Sequence, residues 1–417
     1  MRRSLPIALA ASLLAGGAAV HLAPSASAAT PCAPAWTAST VYLKNDNASH
    51  QGKNYTANWW SQNENPATSS GPWQVWTDKG ACGDGPPPSN PPSTPPSDPP
   101  VDPPTDPPTD PPTDPGDGRL PAHFLTGYWQ NFDNPAREIK LRDVPGTYDL
   151  IAVAFADATG TPGAVSFGID AGLSASVGGY TNADFKADVA TLHARGKKVI
   201  LSVGGEKGTV SVNDPTAATN FANSVYALMQ EYGFDGVDID LENGLNPTYM
   251  AQALRTIRNR AGAGTIITMA PQTIDMQNPQ SSYFKLALDI KDILTVVFTQ
   301  YYNSGAMLGC DQNAAYGQGS VNFIVALTCI QLEAGLRPDQ VAVGLPATTS
   351  AAGGGYVAPA VVNQALDCLA RGINCGSFRP PRTYPGIRGA MTWSINWDVT
   401  AGNGFANTVR PHLNTLP

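Results

Sequence analysis

The stretch that decides the fold is FDGVDIDLE, which runs from Phe234 to Glu242. Acidic and apolar side chains alternate along it, and a period of two predicts a β-strand. Asp238, Asp240 and Glu242 then point to one face, while the apolar side chains between them point to the other. Because the apolar face must be covered by a packed layer, we expect the three carboxylates to line an interior or a cleft. Asp235 lies out of this alternation and is expected to be structural.

An acidic run of this kind also invites comparison with a calcium-binding loop. Such a loop needs glycine at its sixth position and glutamate at its twelfth. Counted from Asp238, those positions hold Asn243 and Tyr249, so this interpretation is excluded. Carboxylates crowded into a confined site cannot all ionise cheaply, and we expect at least one of them to hold a proton near neutral pH. A carboxyl group in that state is suited to general acid catalysis.

Outward from this strand, short apolar runs alternate with helical patterns. Helices are predicted over Asp184–Arg195 and over Thr216–Tyr232, which follows Asp214-Pro215 and ends before Gly233. Eight strands alternating with helices over about 300 residues predict an α/β fold, a parallel (β/α)8 TIM barrel, with a doubly wound sheet as the alternative. The predicted strands are His123–Trp129, Leu150–Ala156, Lys198–Gly204, Phe234–Glu242, Thr265–Pro271, Leu294–Tyr302, Val341–Pro346 and Gly389–Ile395.

The pattern DxxDxDxE, which begins at Asp235, resembles the signature of glycoside hydrolase family 18, the chitinases and their relatives, which are TIM barrels. Three further motifs match this family in the same order along the chain: SVGG from Ser202, QYYN from Gln300 and MTWS around Trp393. The resemblance covers the whole region from Leu120 to the end of the chain.

The resemblance implies retaining, substrate-assisted hydrolysis of glycosidic bonds, which needs no nucleophile from the enzyme. Glu242 would act as general acid and base. Asp240 would orient the acetamido group of the substrate, with Asp238 buried beneath it and sharing a proton. Tyr302 would hydrogen-bond the same acetamido group, and Gln300 lies on the same face of its strand.

Three aromatic residues near the ends of barrel strands are candidates for sugar contacts. Trp393 would form the floor under the sugar at the cleavage site, because an aromatic ring suits the apolar face of a pyranose. Tyr128 and Phe155 either contact substrate or pack the mouth of the barrel. Only 42 residues separate Pro346 from Gly389, which leaves room for a helix and two loops but not for the α+β insertion of some family members. We therefore expect an open cleft that suits internal attack on a chain.

The first 28 residues read as a secretion signal. Arg2-Arg3, an apolar run from Leu5 to Val20 and the small residues Ala26-Ser27-Ala28 predict a signal peptide with a cleavage site, and hence a secreted, extracellular protein. The apolar run is short for a membrane anchor. Twin-arginine export and Sec export both remain open.

A proline-rich segment separates two parts of the chain. Of the 38 prolines, 16 lie between Pro86 and Pro115, where the sequence repeats Thr-Asp-Pro-Pro. This composition predicts an extended linker at 84–118, between a small module at 29–83 and the catalytic domain at 119–417.

The small module resembles the carbohydrate-binding modules of families 5 and 12. Adjacent residues of an extended segment face opposite ways, so at least one of Trp59 and Trp60 should be exposed as a stacking platform for sugar rings. Trp36, Tyr42 and Trp73 are expected to form the core. The module has the all-β character of such families, and its core is small enough to need a disulfide.

Six cysteines in an exported chain favour disulfides. Fifteen pairings are formally open, but the linker separates two of the cysteines from the other four. We predict three pairs: Cys32–Cys82, Cys310–Cys329 and Cys368–Cys375. Neither CxxC spacing nor a histidine cluster occurs, so no metal site is predicted.

Charged residues make up only 14% of the chain and the net charge is −8, which excludes a strongly basic nucleic-acid binder. We expect a monomer without cofactors that binds chitin and chito-oligosaccharides and no membrane after signal cleavage. The leading hypothesis is a secreted, endo-acting chitinase. The alternatives are an endo-β-N-acetylglucosaminidase and a barrel that binds chitin without cutting it.

Overall fold

The structure is a computed structural model in which residues 30–38, 40, 42, 46–58, 61, 64–70, 75–83 and 119–417 are described. The predicted signal peptide, 1–28, and the predicted linker, 84–118, lie outside these residues. The chain divides into two compact units, Met1–Ser97 and Asp98–Pro417, and each is described by itself.

The first unit contains an antiparallel sheet of three strands, β1 (Asn47–His50), β2 (Lys53–Ala57) and β3 (Trp76–Ala81), in the order β1-β2-β3. The Cys32–Cys82 disulfide joins its two ends. This agrees with the predicted all-β module, whose small core gains from a covalent cross-link.

The aromatic core of this unit is centred on Trp76, whose side chain is fully buried. Its ring meets that of Tyr42 edge to face, with centroids 5.0 Å apart. Trp36 is partly buried against the same cluster. Sequence reasoning placed Tyr42 and Trp36 in the core but missed Trp76, because the strand WTDKGA that begins there has no apolar alternation. The predicted core residue Trp73 lies outside the described residues.

The described part of the second unit, residues 119–417, contains eleven strands, eight of which run parallel around a barrel. A short strand pairs antiparallel with the second barrel strand, and two more form a hairpin at the barrel mouth. In chain order the strands are β4 (Phe124–Gln130), β5 (Leu150–Ala158), β6 (Val165–Ser166), β7 (Lys198–Gly204), β8 (Gly236–Asp240), β9 (Ile266–Met269), β10 (Val296–Gln300), β11 (Ala306–Leu308), β12 (Ala315–Gly317), β13 (Val341–Pro346) and β14 (Gly389–Trp393).

The barrel is closed because its last strand pairs with its first. Thr392 of β14 lies opposite Gly127 of β4 in a parallel ladder, and β4 in turn pairs with β5. Closure confirms the predicted (β/α)8 TIM barrel and excludes the doubly wound sheet, whose edge strands would stay unpaired.

Nine α-helices are described in this unit, and they follow the barrel strands with one exception. The first connection, 131–149, contains only a 3-10 helix over Leu141–Asp143, and Pro135 and Pro145 within it disfavour a longer helix. The α-helices are α1 (Ala171–Ser176), α2 (Asn182–Ala194), α3 (Pro215–Tyr232), α4 (Pro247–Ala261), α5 (Ser282–Asp289), α6 (Val321–Glu333), α7 (Pro359–Arg371), α8 (Ile395–Thr400) and α9 (Gly404–Leu413).

The ends of α2 and α3 show how local sequence sets helix boundaries. The α2 helix begins at Asn182, two residues before the predicted start, because Thr181 and Asp184 form a capping box. The Asp214 side chain accepts a hydrogen bond from the Ala217 N–H and caps α3, as the sequence indicates. Gly233 ends that helix at a φ of 80°, a left-handed conformation that glycine adopts without strain.

Several strands are shorter than predicted. The strand predicted over Phe234–Glu242 is ordered as β8 only over Gly236–Asp240, the span in which it pairs with β7 and β9. The predicted last strand ends at Trp393, because Ser394 caps helix α8 and Ile395 begins it. Leu241 still packs into the core after β8 has ended, and Ile395 does so from the first turn of α8.

The alternation along β8 is observed as predicted. Val237 and Ile239 are fully buried in the core between barrel and helices, where Phe221 and Val225 of α3 also lie. Burial of such side chains contributes roughly 1.5–3 kcal/mol each. The acidic side chains of the same strand therefore lie inside the barrel.

Two disulfides cross-link this unit. Cys310, beside the hairpin of β11 and β12, is bonded to Cys329 of α6, and Cys368 of α7 is bonded to Cys375 in the loop that follows. With Cys32–Cys82 these are the pairs expected from the sequence. Among the described residues, no helix is both long and apolar enough to cross a membrane.

Candidate active site

The deepest carboxylate of the site is Asp238, which is completely buried inside the barrel. It accepts hydrogen bonds from three hydroxyl groups: Tyr128 (2.8 Å), Ser202 (2.7 Å) and Thr268 (2.6 Å). Burial raises the pKa of Asp238, and the three hydrogen bonds oppose that rise. The strands β4, β7, β8 and β9 each supply one of these groups, so the packing of the barrel fixes the carboxyl group.

Asp240 lies one layer above Asp238 and is only 4% exposed. Its Oδ1 accepts a hydrogen bond of 2.9 Å from the Gln300 amide, which also donates to the Ala270 carbonyl. Burial, together with the charges of Asp238 and Glu242, raises the pKa of Asp240 well above its usual range. Ionisation of Asp240 is therefore disfavoured beside the two other carboxyl groups.

Glu242 lies two residues past the end of β8 and is only partly buried. Its Oε2 accepts a hydrogen bond of 3.2 Å from the Gln272 side chain, which follows β9. Tyr302 follows β10 and is 8% exposed. Burial and the negative charges of Asp240 and Glu242 raise the pKa of the Tyr302 phenol well above its usual range, so its hydroxyl stays protonated and able to donate.

The SVGG motif that ends β7 supports the acidic strand through its backbone. A Cβ on Gly204 would lie 2.1 Å from the Asp240 carbonyl oxygen, and that oxygen accepts a 2.7 Å hydrogen bond from the Gly205 N–H. A Cβ on Gly205 would lie 2.6 Å from the Phe155 ring. Only glycine therefore permits this approach, and both residues have positive φ.

An aromatic cluster lies beside the carboxylates at the mouth of the barrel. The Phe155 and Trp393 rings are stacked with centroids 5.8 Å apart, and both stack with Phe132 at 6.4 Å. Trp393 and Phe155 are each partly exposed. They present flat apolar faces of the kind that sugar rings contact.

Tyr128 differs from the other aromatic candidates. It is 1% exposed and its hydroxyl is committed to Asp238. Its ring lies 5.6 Å from that of Trp393, so it supports the cluster from below rather than presenting a face at the mouth. Of the two roles that the sequence left open for Tyr128, its burial and its hydrogen bond to Asp238 favour the packing role.

Two residues at the rim of the site were missed by sequence reasoning, as were Thr268 beneath the carboxylates and Tyr283 behind them. Gln272 reaches Glu242 from the segment after β9, and Phe132 joins the aromatic cluster from the connection after β4. The only signal was position, because each residue closely follows the C-terminal end of a barrel strand, where active sites of this fold lie. The predicted platform residues Trp59 and Trp60 lie outside the described residues.

A tyrosine behind the acidic strand holds its end. Tyr283 of α5 is buried, and its hydroxyl accepts a hydrogen bond from the Leu241 N–H (2.5 Å) and donates to the Leu241 carbonyl (3.2 Å). Leu241 lies between Asp240 and Glu242, just where the strand pairing stops. The hydroxyl thus replaces the missing ladder and fixes the backbone that carries both carboxyl groups.

Comparison with known proteins identifies families for both the barrel and the small module. Residues 125–407 match the model of Glycosyl hydrolases family 18, and residues 35–77 match Carbohydrate-binding module family 5/12. Chitinase Chi52 of Paenibacillus xylanexedens is 38% identical over 337 residues, and Chitinase D of Niallia circulans is 37% identical over 338 residues. Each alignment covers 72% of this chain and 63% of the relative, so the chain spans less than two thirds of their length.

Solved structures extend the comparison to the fold. A Streptomyces coelicolor protein provisionally assigned as Chitinase A is 66% identical, with a TM-score of 0.69 over 71% of this chain and 99% of that chain. A family GH18 chitinase from Chromobacterium violaceum is 32% identical, with a TM-score of 0.65 over 91% of this chain and 99% of that chain. With the family model matched across the barrel that holds the carboxylates, the chain belongs to glycosyl hydrolases family 18.

Proposed function

We propose that this protein is a secreted, endo-acting chitinase that hydrolyses β-1,4 linkages between N-acetylglucosamine units. The observation that carries the proposal is the row of carboxyl groups on β8 and just after it, in which Glu242 lies at the rim above the buried pair Asp238 and Asp240. The chitinase names of the relatives and the match to a carbohydrate-binding module support the same substrate class.

The proposed reaction begins with proton transfer from Glu242 to the glycosidic oxygen as its bond to the anomeric carbon breaks. The acetamido oxygen of the same sugar attacks that carbon and gives an oxazolinium ion. A water molecule then attacks the anomeric carbon, the bond between that carbon and the acetamido oxygen breaks, and one proton of the water passes to Glu242, so the acetamido group is restored and the configuration is retained. No covalent bond to the protein forms at any step.

The buried aspartate pair suits the charge that develops on the acetamido group. Asp240 accepts a hydrogen bond from Gln300, which holds its orientation, and would share a proton with Asp238 beneath it. A carboxyl group fixed in this way stabilises the positive oxazolinium ion without reorganisation. The Tyr302 hydroxyl, kept protonated, would donate to the acetamido oxygen. Trp393 would lie under the sugar ring.

The endo-acting mode is inferred from the connection between β13 and β14. Residues 347–388 are all described and contain helix α7 and two loops, without a further strand. No added domain walls the cleft on this side, so a long chain could enter at any point. The module, which would bind chitin through Trp59 or Trp60, would keep the barrel near an insoluble surface.

The proposal predicts two properties of the products. Incubation with soluble high-molecular-weight chitin should lower the mean chain length before disaccharide accumulates, as measured by viscosity and chromatography. Proton NMR in the first minutes on chitotetraose should show the β-anomer in excess, because the configuration is retained. Binding to chitin without release of soluble oligosaccharides would overturn the enzyme assignment, and disaccharide from the outset at constant chain length would overturn the endo mode.

Loss of the Tyr283 hydroxyl is predicted to loosen the catalytic strand. Tyr283→Phe leaves the Leu241 N–H without its partner, so the free energy of unfolding should fall by about 1–3 kcal/mol. Small misplacements of catalytic groups are costly, and kcat on chitotetraose should fall by roughly 10-fold with little change in KM. Thermal melting and steady-state kinetics measure the two effects.

Tyr226→Phe is the matched control for this test. Tyr226 lies on α3, is partly exposed, and has the Arg260 guanidinium 4.2 Å from its ring centre. It should change neither quantity. Equal behaviour of the two variants would show that Tyr283 does not hold the strand.

A further inference from the structure

Gln272 lies immediately beside the proposed acid. It follows Pro271, at the end of the segment that β9 begins, and its amide nitrogen donates to Oε2 of Glu242 over 3.2 Å. Both side chains are partly exposed at the mouth of the barrel. The contact is therefore made where substrate would enter, and not in the packed core.

The backbone around Gln272 is held on both sides by Gln300. The Gln300 N–H donates to the Pro271 carbonyl (2.9 Å), and the Thr273 hydroxyl donates to the Gln300 carbonyl (2.6 Å). Gln300 is also the residue that holds Asp240. One residue of β10 thus sets the position of both the aspartate and the amide beside Glu242.

A second carboxylate, that of Asp275, holds the backbone of Gln272. Oδ2 of Asp275 accepts a hydrogen bond of 3.1 Å from the Gln272 N–H. Burial and the negative charge of Glu242 raise the pKa of Asp275, and the hydrogen bond from the Gln272 N–H opposes that rise. Gln272 donates a hydrogen bond to each of these two carboxyl groups and carries no charge itself. It is held on a rigid frame, and a rigid frame positions a catalytic group precisely.

We propose that Gln272 is a positioning residue that selects which oxygen of Glu242 delivers the proton. This inference rests on the proposed function. An N–H donor favours an oxygen that carries no proton, so in neutral Glu242 Oε2 is the carbonyl oxygen and Oε1 carries the hydrogen. Oε1 is then the atom that protonates the glycosidic oxygen.

The same hydrogen bond changes strength during the reaction. Before proton transfer Gln272 donates to a neutral carboxyl oxygen, and afterwards it donates to a carboxylate. Hydrogen bonds to ionised acceptors are roughly twice as strong as neutral ones. Gln272 therefore favours departure of the proton from Glu242 as the glycosidic bond breaks. An interaction that strengthens in the transition state in this way accelerates the reaction.

The test compares leaving groups that need a proton with one that does not. Gln272→Leu should lower kcat on chitotetraose by about 10-fold to 100-fold, the range for a hydrogen bond to a charged group. A chitobioside of 2,4-dinitrophenol departs as a stable phenolate, so the first step on it should slow by less than about threefold. Pre-steady-state release of the phenolate measures that step separately.

Gln277→Leu is the matched control. Gln277 ends the same 3-10 turn, and its buried amide nitrogen has no hydrogen-bond partner among the described residues, so activity on both substrates should be unaffected. An equal loss on both substrates for Gln272→Leu would overturn the proposal and assign a structural role. A wild-type protein that cuts neither substrate would instead overturn the proposed function.

A second variant checks the donor directly. Gln272→Glu places an acceptor against Glu242 when ionised, but a protonated carboxyl at this position can donate again. Its activity relative to wild type should therefore rise as the pH is lowered. A constant ratio across the pH range in which the wild type is folded would contradict the donor role.

Discussion

Replacing Glu242 by glutamine is expected to lower kcat on chitotetraose by at least about 10²-fold to 10⁴-fold, the range that general acid catalysis supplies. The amide is nearly isosteric with the carboxyl group, and its oxygen can still accept the hydrogen bond from Gln272. What is lost is the proton that must reach the glycosidic oxygen. Steady-state kinetics on chitotetraose measure the loss, and co-sedimentation with insoluble chitin should show unchanged binding.

Glu231→Gln is the control for this substitution. Glu231 makes an ion pair with Lys186 on the protein surface, where both side chains are exposed, so the same chemical change there should leave the kinetics unaltered. If Glu242→Gln kept near-wild-type turnover, another group would have to be the acid. If it lost chitin binding as well, the substitution would have disturbed more than proton transfer.

Much of the site can be predicted from one short stretch of sequence, because side chains alternate between the two faces of a strand. Once Val237 and Ile239 must face the helices, Asp238 and Asp240 must face the barrel axis. The same rule places Gln300 inward on β10. These assignments hold because one face of each strand packs against the helices, and this burial fixes which side chains point into the barrel.

Contacts across the loops could not be derived in this way. Gln272 lies after β9 and Phe132 after β4, in irregular segments whose paths depend on hydrogen bonds such as those between Thr273, Asp275 and their neighbours. No periodic pattern encodes such paths. Position near a strand end marks these residues as candidates but cannot say what each one touches.

Strand ends were overestimated for a related reason. Apolar side chains continue past β8 and β14, but pairing with the neighbouring strands stops earlier. At β8 the Tyr283 hydroxyl takes over the backbone at Leu241, and at β14 a helix cap begins at Ser394. Amino-acid composition alone therefore predicts strands that are too long. The strands end where hydrogen-bond partners from other elements replace the neighbouring strands.

Asp240→Asn is expected to lower kcat on chitotetraose by about 10²-fold or more, as does the loss of other groups that stabilise a transition-state charge. The asparagine oxygen can still accept the hydrogen bond from Gln300. It cannot supply the negative charge that faces the oxazolinium ion when the shared proton moves to Asp238. Asp289→Asn, on the exposed end of α5, removes one carboxylate elsewhere and should leave kcat unchanged.

The same substitution should raise stability at neutral pH. Because the pKa of Asp240 is raised in the folded state, the folded protein binds more protons than the unfolded chain above about pH 4, and stability falls as the pH rises through that range. Asparagine has no proton to lose, so the melting temperature of the variant should exceed that of wild type by a margin that grows from pH 4 to pH 7. Each 1 kcal/mol corresponds to roughly 2–4 °C. A lower melting temperature at pH 7, or a margin that shrinks with rising pH, would mean that folding does not raise the pKa of Asp240. A gain in melting temperature together with the loss of turnover would show that the carboxyl group is kept for catalysis at the expense of stability.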